Sequence, residues 1–128
     1  MKLQDGELHA RGQAIFVDDL VLTADTLHVF PVVSDIAHAR IKACDYSQAL
    51  AISGVKAVLT AKDIKGRNQI GNVATDEVLL AETEVCYLGQ PIALIVAETA
   101  ELARQASELC QIDYEKLDAV FDARTANK

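Results

Sequence analysis

The sequence predicts an α+β fold, and three observations carry that prediction. Strand-like runs come in groups with no helix between them: residues 26–33 precede residues 38–46, and residues 85–88 precede residues 92–97. One stretch, residues 99–110, has a sustained helical repeat of apolar side chains. The remaining connections are short turns and one polar loop, so strands and helices do not alternate as a doubly wound sheet requires.

At 128 residues the chain is sized for a single domain, 1–128, and its 51% hydrophobic content fills a core without a disulfide or metal staple. That content also excludes disorder. Twelve Lys plus Arg against nineteen Asp plus Glu leave a net charge of −7. This is the wrong sign for a nucleic acid or an anionic membrane surface as partner, and no apolar run approaches the roughly 18 residues of a membrane span. The opening stretch carries Asp5, Glu7, Arg11, Asp18 and Asp19. It resembles neither a secretory signal nor an Arg-rich transit peptide, so a cytoplasmic setting is expected. Cys44, Cys86 and Cys110 show no C-x-x-C spacing and read as three buried, reduced thiols.

In chain order, residues 13–16 read as a short β-type segment that stops at Asp18 and Asp19. Residues 26–33 are rich in β-branched and aromatic side chains, and Pro31 among them predicts an edge strand or a bulge. Residues 38–46 alternate, with Ala39, Ile41, Ala43 and Asp45 on one face and Arg40, Lys42 and Cys44 on the other, as in a half-buried strand. Ser47 is positioned to cap a short helix over residues 48–52, which Gly54 ends. A strand over 55–60 and a helical turn over 61–64 follow. Residues 65–77 hold Gly66, Asn68, Gly71 and Asn72 without periodicity, a loop long enough to suggest a function. Beyond it, the six apolar residues 92–97 imply a strand covered on both faces. Thr99 then caps the clearest helix, whose Leu102, Ala103, Ala106, Leu109 and Cys110 share one face. Residues 112–114 return as a strand.

Catalytic machinery is nearly absent from the pattern. There is no nucleophile elbow, no phosphate-binding glycine loop and no zinc-protease helix. His9, His28 and His38 are dispersed, and His28 reads as a packed or interfacial strand residue. The acidic pairs Asp18-Asp19 and Asp76-Glu77 could supply carboxylates to a hydrolase or a hard metal, but neighbours on an extended chain point to opposite sides. Turn capping and solvation account for them more simply. No catalytic, cofactor-binding or metal-ligating residue is assigned on this basis.

Seven short motifs nevertheless occur in one order: GQAIFVDD at 12–19, HARI at 38–41, GVKAVLTAKDI at 54–64, NQIG at 68–71, DEVLLA at 76–81, GQPIA at 89–93 and VAET at 96–99. Together, over roughly residues 8–124, they resemble the N-terminal domain of the molybdenum-binding subunit of the xanthine dehydrogenase and aldehyde oxidase family. The Gly89-Gln90-Pro91 and Lys62-Asp63-Ile64 variants are most similar to bacterial xanthine dehydrogenases. Asp18, Asp19, His38, Arg40, Gly89, Gln90 and Pro91 are the motif residues for which the resemblance implies a structural role.

The resemblance implies the α/β hammerhead, an α+β unit with a mixed sheet and two helices, one short and one of about three turns. It also implies hydroxylation of a purine, hypoxanthine or xanthine, with water-derived oxygen at a molybdenum-molybdopterin centre, and electron exit through 2Fe-2S clusters to FAD and NAD. The residues that hold that centre belong to later domains of such a subunit. The chain is therefore expected to be a piece of a longer subunit, inactive alone, with the remaining molybdopterin-binding domains and the iron-sulfur and FAD subunits or domains as partners. The resemblance places the loop over residues 68–76 near the substrate funnel, with Ile70, Gly71 and Asn72 as candidate contacts. Packing of this loop on a neighbouring domain is the other reading.

Two alternatives stay open at this point. One is a non-catalytic binding or assembly module on the same fold. The other is the same domain from an aldehyde oxidase, a carbon monoxide dehydrogenase or an aromatic-ring-oxidising relative. The apolar surplus further predicts docking patches that an isolated chain would cover by self-association.

Overall fold

The computed structural model describes residues 5–126, so residues 1–4 and 127–128 of the predicted domain lie outside the described residues. Helix α1 (Gly6–Ala10) and a 3-10 turn at Val17–Asp19 precede strands β1 (His28–Val33) and β2 (Ala39–Asp45). Helix α2 (Ser47–Leu50) leads to β3 (Val55–Thr60), β4 (Glu84–Val85) and β5 (Pro91–Ala97). Helix α3 (Ala100–Glu108), β6 (Gln111–Lys116) and α4 (Ala123–Ala126) complete the order. The α+β class holds. Its strands are antiparallel throughout and form two three-stranded sheets, β1-β5-β3 and β4-β2-β6, in place of one mixed sheet. The division starts at Ser34, whose hydroxyl accepts the Ile36 N–H at 3.1 Å and donates to the Ile36 carbonyl at 2.7 Å. This turn redirects the chain away from β1, and β2 pairs with β4 and β6.

Strand β5 is the spine. Ala93, Ile95 and Ala97 are buried at alternate positions in one apolar cluster with Ala103 and Ala106 of α3, as the two-residue period of a strand requires. Ile92 belongs to a second cluster with Ala39, Ala81 and Val85. One face of the apolar run is fully covered, whereas on the other only Ile92 is buried and Leu94 and Val96 stay half-buried, so the expected cover on both faces is met only in part. Strand β1 lies at the edge of its sheet with Pro31 opposite Leu94, and its register slips between Val32 and Val33. An edge position suits proline, which has no N–H to donate to a second neighbour.

Helix α3 forms where the apolar repeat places it. The Thr99 hydroxyl accepts the Leu102 N–H at 3.2 Å, satisfying one of the free donors of the first turn. On the exposed face the Arg104 guanidinium, with help from the Gln105 amide, holds Glu101 down to a pKa of about 2. Arg104 also reaches Glu108 one turn later.

Several local expectations change. Residues 13–16 form no strand; they lead into the turn at Val17–Asp19, where Asp19 Oδ2 accepts the Phe16 N–H at 3.0 Å. β-propensity needs a partner strand to be realised, and none pairs there. Ser47 does not cap α2: it starts the helix, Tyr46 is the cap residue without a side-chain cap bond, and Asp45 Oδ1 one residue earlier accepts the Ser47 N–H at 2.9 Å. Of the three thiols read as buried, Cys44 and Cys86 are exposed and Cys110 is half-buried. Strand β4 pairs only with Ala39 and Arg40, so the far end of β2 that carries Cys44 has β6 alone as a neighbour. Burial pushes the Cys110 thiol up to about 11.

Candidate functional site

The loop between Asp63 and β4 is built around one side chain. Asn68 Nδ2 donates to the Leu80 carbonyl at 2.6 Å, and Asn68 Oδ1 accepts the Leu80 N–H at 3.0 Å. A primary amide holds N–H donors and a carbonyl acceptor in one plane, and Asn68 uses one donor and its oxygen to meet both backbone groups of Leu80, as a paired strand would. Two residues on, the Ile70 N–H donates to the Glu77 carbonyl at 2.9 Å and closes the neck. Gln69 Oε1 accepts the Gly71 N–H at 2.6 Å. The chain then folds back so closely that a Cβ on Gly71 would collide with the Ala74 carbonyl oxygen. Beyond this neck the tip is open: Ile70 is 49% exposed, Val73 is fully exposed, and Asn72 also faces solvent.

The base of this loop meets the Gly89-Gln90-Pro91 turn. The Ala81 N–H donates to the Pro91 carbonyl at 2.8 Å, and Leu80 and Ala81 are each 3% exposed. Gly89 adopts φ +85°, a backbone region that disfavours any Cβ, and its N–H donates to the Ser34 carbonyl at 2.8 Å. The Ser34 N–H in turn donates to the Gln90 carbonyl at 2.9 Å. Gln90 is buried, and its Oε1 accepts the Cys86 N–H at 2.6 Å. The turn therefore joins the ends of β1, β4 and β5.

His38 lies immediately before β2. Its Nδ1 is 2.6 Å from the Asp118 carbonyl and its Nε2 is 3.0 Å from Glu84 Oε1. Both neighbours are acceptors, so both ring nitrogens are satisfied together only when both carry protons. The Asp118 carbonyl first, and then the Glu84 carboxylate, raise its pKa above 6.5. Arg40 pairs with Glu115 on β6 at 2.9 Å, and Lys42 shares the same Oε2 at 2.8 Å. These two cations, Lys42 foremost, lower the Glu115 pKa. Asp18 and Asp19 stand apart from this assembly on an exposed turn.

Residues 11–118 match the family model described as aldehyde oxidase and xanthine dehydrogenase, a/b hammerhead domain. The chain belongs to that family. Its hammerhead domain is 42% identical over 126 residues to the xanthine dehydrogenase of Dictyostelium discoideum, covering 98% of this chain and 9% of that protein. It is 39% identical over 115 residues to aldehyde oxidase 4 of Cavia porcellus, covering 90% of this chain and 8% of that one. The aldehyde oxidoreductase from Desulfovibrio gigas shares the fold with a TM-score of 0.84 at 32% identity, over 96% of this chain and 15% of its own. The family and the hammerhead fold expected from the seven motifs are borne out. All three relatives are named as oxidoreductases, and the chain spans only 8–9% of the length of the two curated ones.

Among the described residues no three His, Cys, Asp or Glu side chains gather where they could hold a metal ion, and His38 is engaged with the Asp118 carbonyl and Glu84. This residue set does not fit a metal centre, and no chemical step is assigned to it. No helix among the described residues is long and apolar enough to cross a membrane.

The motif residues His38, Arg40, Gly89, Gln90 and Pro91 all lie in or beside β2 and the turn before β5. The loop carrying Ile70, Gly71 and Asn72 is tied to that turn through Asn68, Leu80 and Ala81. Sequence reasoning missed Ser34, Glu84 and Asp118 as partners. Ser34 left a trace, a hydroxyl following an apolar strand and preceding Asp35, which is a turn signature. Glu84 and Asp118 left none, because their role depends on pairing across 46 and 80 residues.

Proposed function

We propose that this chain is the hammerhead domain of a molybdenum hydroxylase in which it supplies one wall of the substrate funnel, and that the enzyme hydroxylates xanthine and hypoxanthine in the cytoplasm. The observation that carries this reading is the loop at residues 68–80: a neck fixed by polar bonds that holds apolar Ile70 and Val73 out in the open. A fixed apolar rim suits a passage for flat aromatic substrates, which need shape and dry contact more than charge. On this reading the molybdenum-molybdopterin centre is carried by the remaining domains of the same subunit, with 2Fe-2S clusters, FAD and NAD taking the electrons. The exposed apolar side chains of Ile15, Phe16, Val17, Leu20, Val21 and Leu22 support docking of the domain onto those neighbours.

The test is to express the complete subunit with its iron-sulfur and flavin partners, measure its metal content, and assay a panel of xanthine, hypoxanthine, aldehydes and carbon monoxide. Molybdenum in the complete enzyme and fastest turnover of the two purines is the expected result. Molybdenum with turnover of aldehydes alone would keep the funnel role and replace the substrate. Molybdenum bound by the 128-residue chain itself would overturn the division of labour.

A further inference from the structure

We propose that Asn68 is a positioning residue for substrate specificity, setting where Ile70 and Val73 stand by acting as the missing strand partner of Leu80. The proposal rests on the funnel reading above for its link to substrate, but the clamp itself rests on geometry alone. Leu80 is 3% exposed, so its N–H and carbonyl cannot turn to water, and both are met by the Asn68 amide at 3.0 and 2.6 Å. A buried peptide group left without partners is costly. Leu80 is itself fixed through Ala81, whose N–H is bonded to the Pro91 carbonyl at the start of β5. A continuous chain of short bonds therefore runs from the central strand through Ala81, Leu80 and Asn68 to Ile70, two residues further on. No other side chain among the described residues is recorded bonding the loop to Leu80. Loss of this amide unties the neck from Leu80 and leaves the Ile70–Glu77 backbone bond as its remaining closure, so Ile70 is no longer anchored to the central strand.

The chemistry of the clamp offers a specific test. Aspartate has the shape of asparagine, but as a carboxylate it can accept the Leu80 N–H and must turn its second oxygen against the Leu80 carbonyl. Protonated, the same group donates to that carbonyl and accepts from the N–H, and so restores both bonds. We compare wild type, Asn68→Ala and Asn68→Asp in the complete enzyme, reading saturation kinetics with xanthine against pH and amide exchange of the peptide containing Leu80. Expected for Asn68→Ala is a KM raised about tenfold with kcat held to within about twofold, since lost positioning of a binding wall removes binding shared by ground and transition states. Asn68→Asp should behave like Asn68→Ala at neutral pH and recover towards wild-type KM in mild acid, with protection of the Leu80 amide, compared with wild type at the same pH, lost in the first condition and restored in the second. Unchanged Leu80 exchange in Asn68→Ala overturns the clamp. Fast exchange with a fall in kcat at constant KM, or with no kinetic change, overturns the specificity role. If wild type shows no hydroxylase activity on the panel, the funnel reading falls and the specificity role falls with it, while the exchange data still decide the clamp.

Discussion

The helix-covered sheet and the loop-bearing side of the domain meet along β5 and are held there in different ways. Around α3 the junction is made of small apolar side chains, Ala93, Ala97, Ala103 and Ala106, closed around Ile95 with none of the five accessible to solvent. Around Leu80, Ser34 and Gln90 the junction is made of hydrogen bonds, backbone to backbone at Ala81, Ser34 and Gly89 and side chain to backbone at Asn68 and Gln90, with 2.6 Å bonds at both. Apolar packing scales with area and tolerates conservative change. Polar clamps act through single atoms, so removing one leaves its partner stranded. The first region supplies a stable platform and the second fixes a position, which is the division expected where a rigid scaffold carries a functional loop.

The largest effect should come from the platform. Ile95→Ala opens a hole at a fully buried site on the spine and should lower stability by about 2–5 kcal/mol in urea unfolding. A loss under about 1 kcal/mol would mean that Ile95 is not the keystone of that cluster. Gln90→Ala leaves the Cys86 N–H without its 2.6 Å acceptor and should cost about 1–3 kcal/mol, with faster amide exchange near Cys86 and unchanged exchange in α3. Equal acceleration in both places would erase the distinction between the two regions. Thr99→Ala removes the cap of α3 and should cost about 1 kcal/mol. Here the exchange should quicken in the first turn of the helix and leave the loop neck as it was.

The smallest effect is the pH dependence at His38. Its folded-state pKa is raised by the Asp118 carbonyl and then by Glu84, so the folded state binds this proton more tightly than the unfolded chain does. The contribution is therefore fully present below 6.5, its ordinary value, and is lost as pH rises through the folded-state pKa above it. Wild type and His38→Gln should differ most in midpoint denaturant concentration on the acidic side and converge in mild alkali. A constant difference across that window would show that the proton contributes nothing.

Much of the platform is legible in the sequence because its rules are local or periodic. The run at residues 92–97 predicts the central strand, although only one of its faces is fully buried, Thr99 predicts a cap and Pro31 predicts an edge, and each follows from local chemistry. The polar side is less legible. That residues 65–77 form a loop was plain from Gly66, Gly71 and the missing periodicity, yet nothing local marks Asn68 as a partner for Leu80, twelve residues on. The misjudged thiols have the same origin. Cys44 sits in an apolar stretch, but its exposure depends on how far β4 extends along β2.

The sequence by itself determined the family, the α+β class, the central strand and the capped helix, because periodicity, caps and ordered motifs are properties of neighbouring residues. Only the tertiary structure decided that the strands divide into two antiparallel sheets, that Gln90 and Ser34 stitch their junction, and that Asn68 holds the loop. Those outcomes depend on which distant groups meet. A hydrogen bond across tens of residues is fixed by where the packed strands deliver its two ends, and no single stretch of sequence records that.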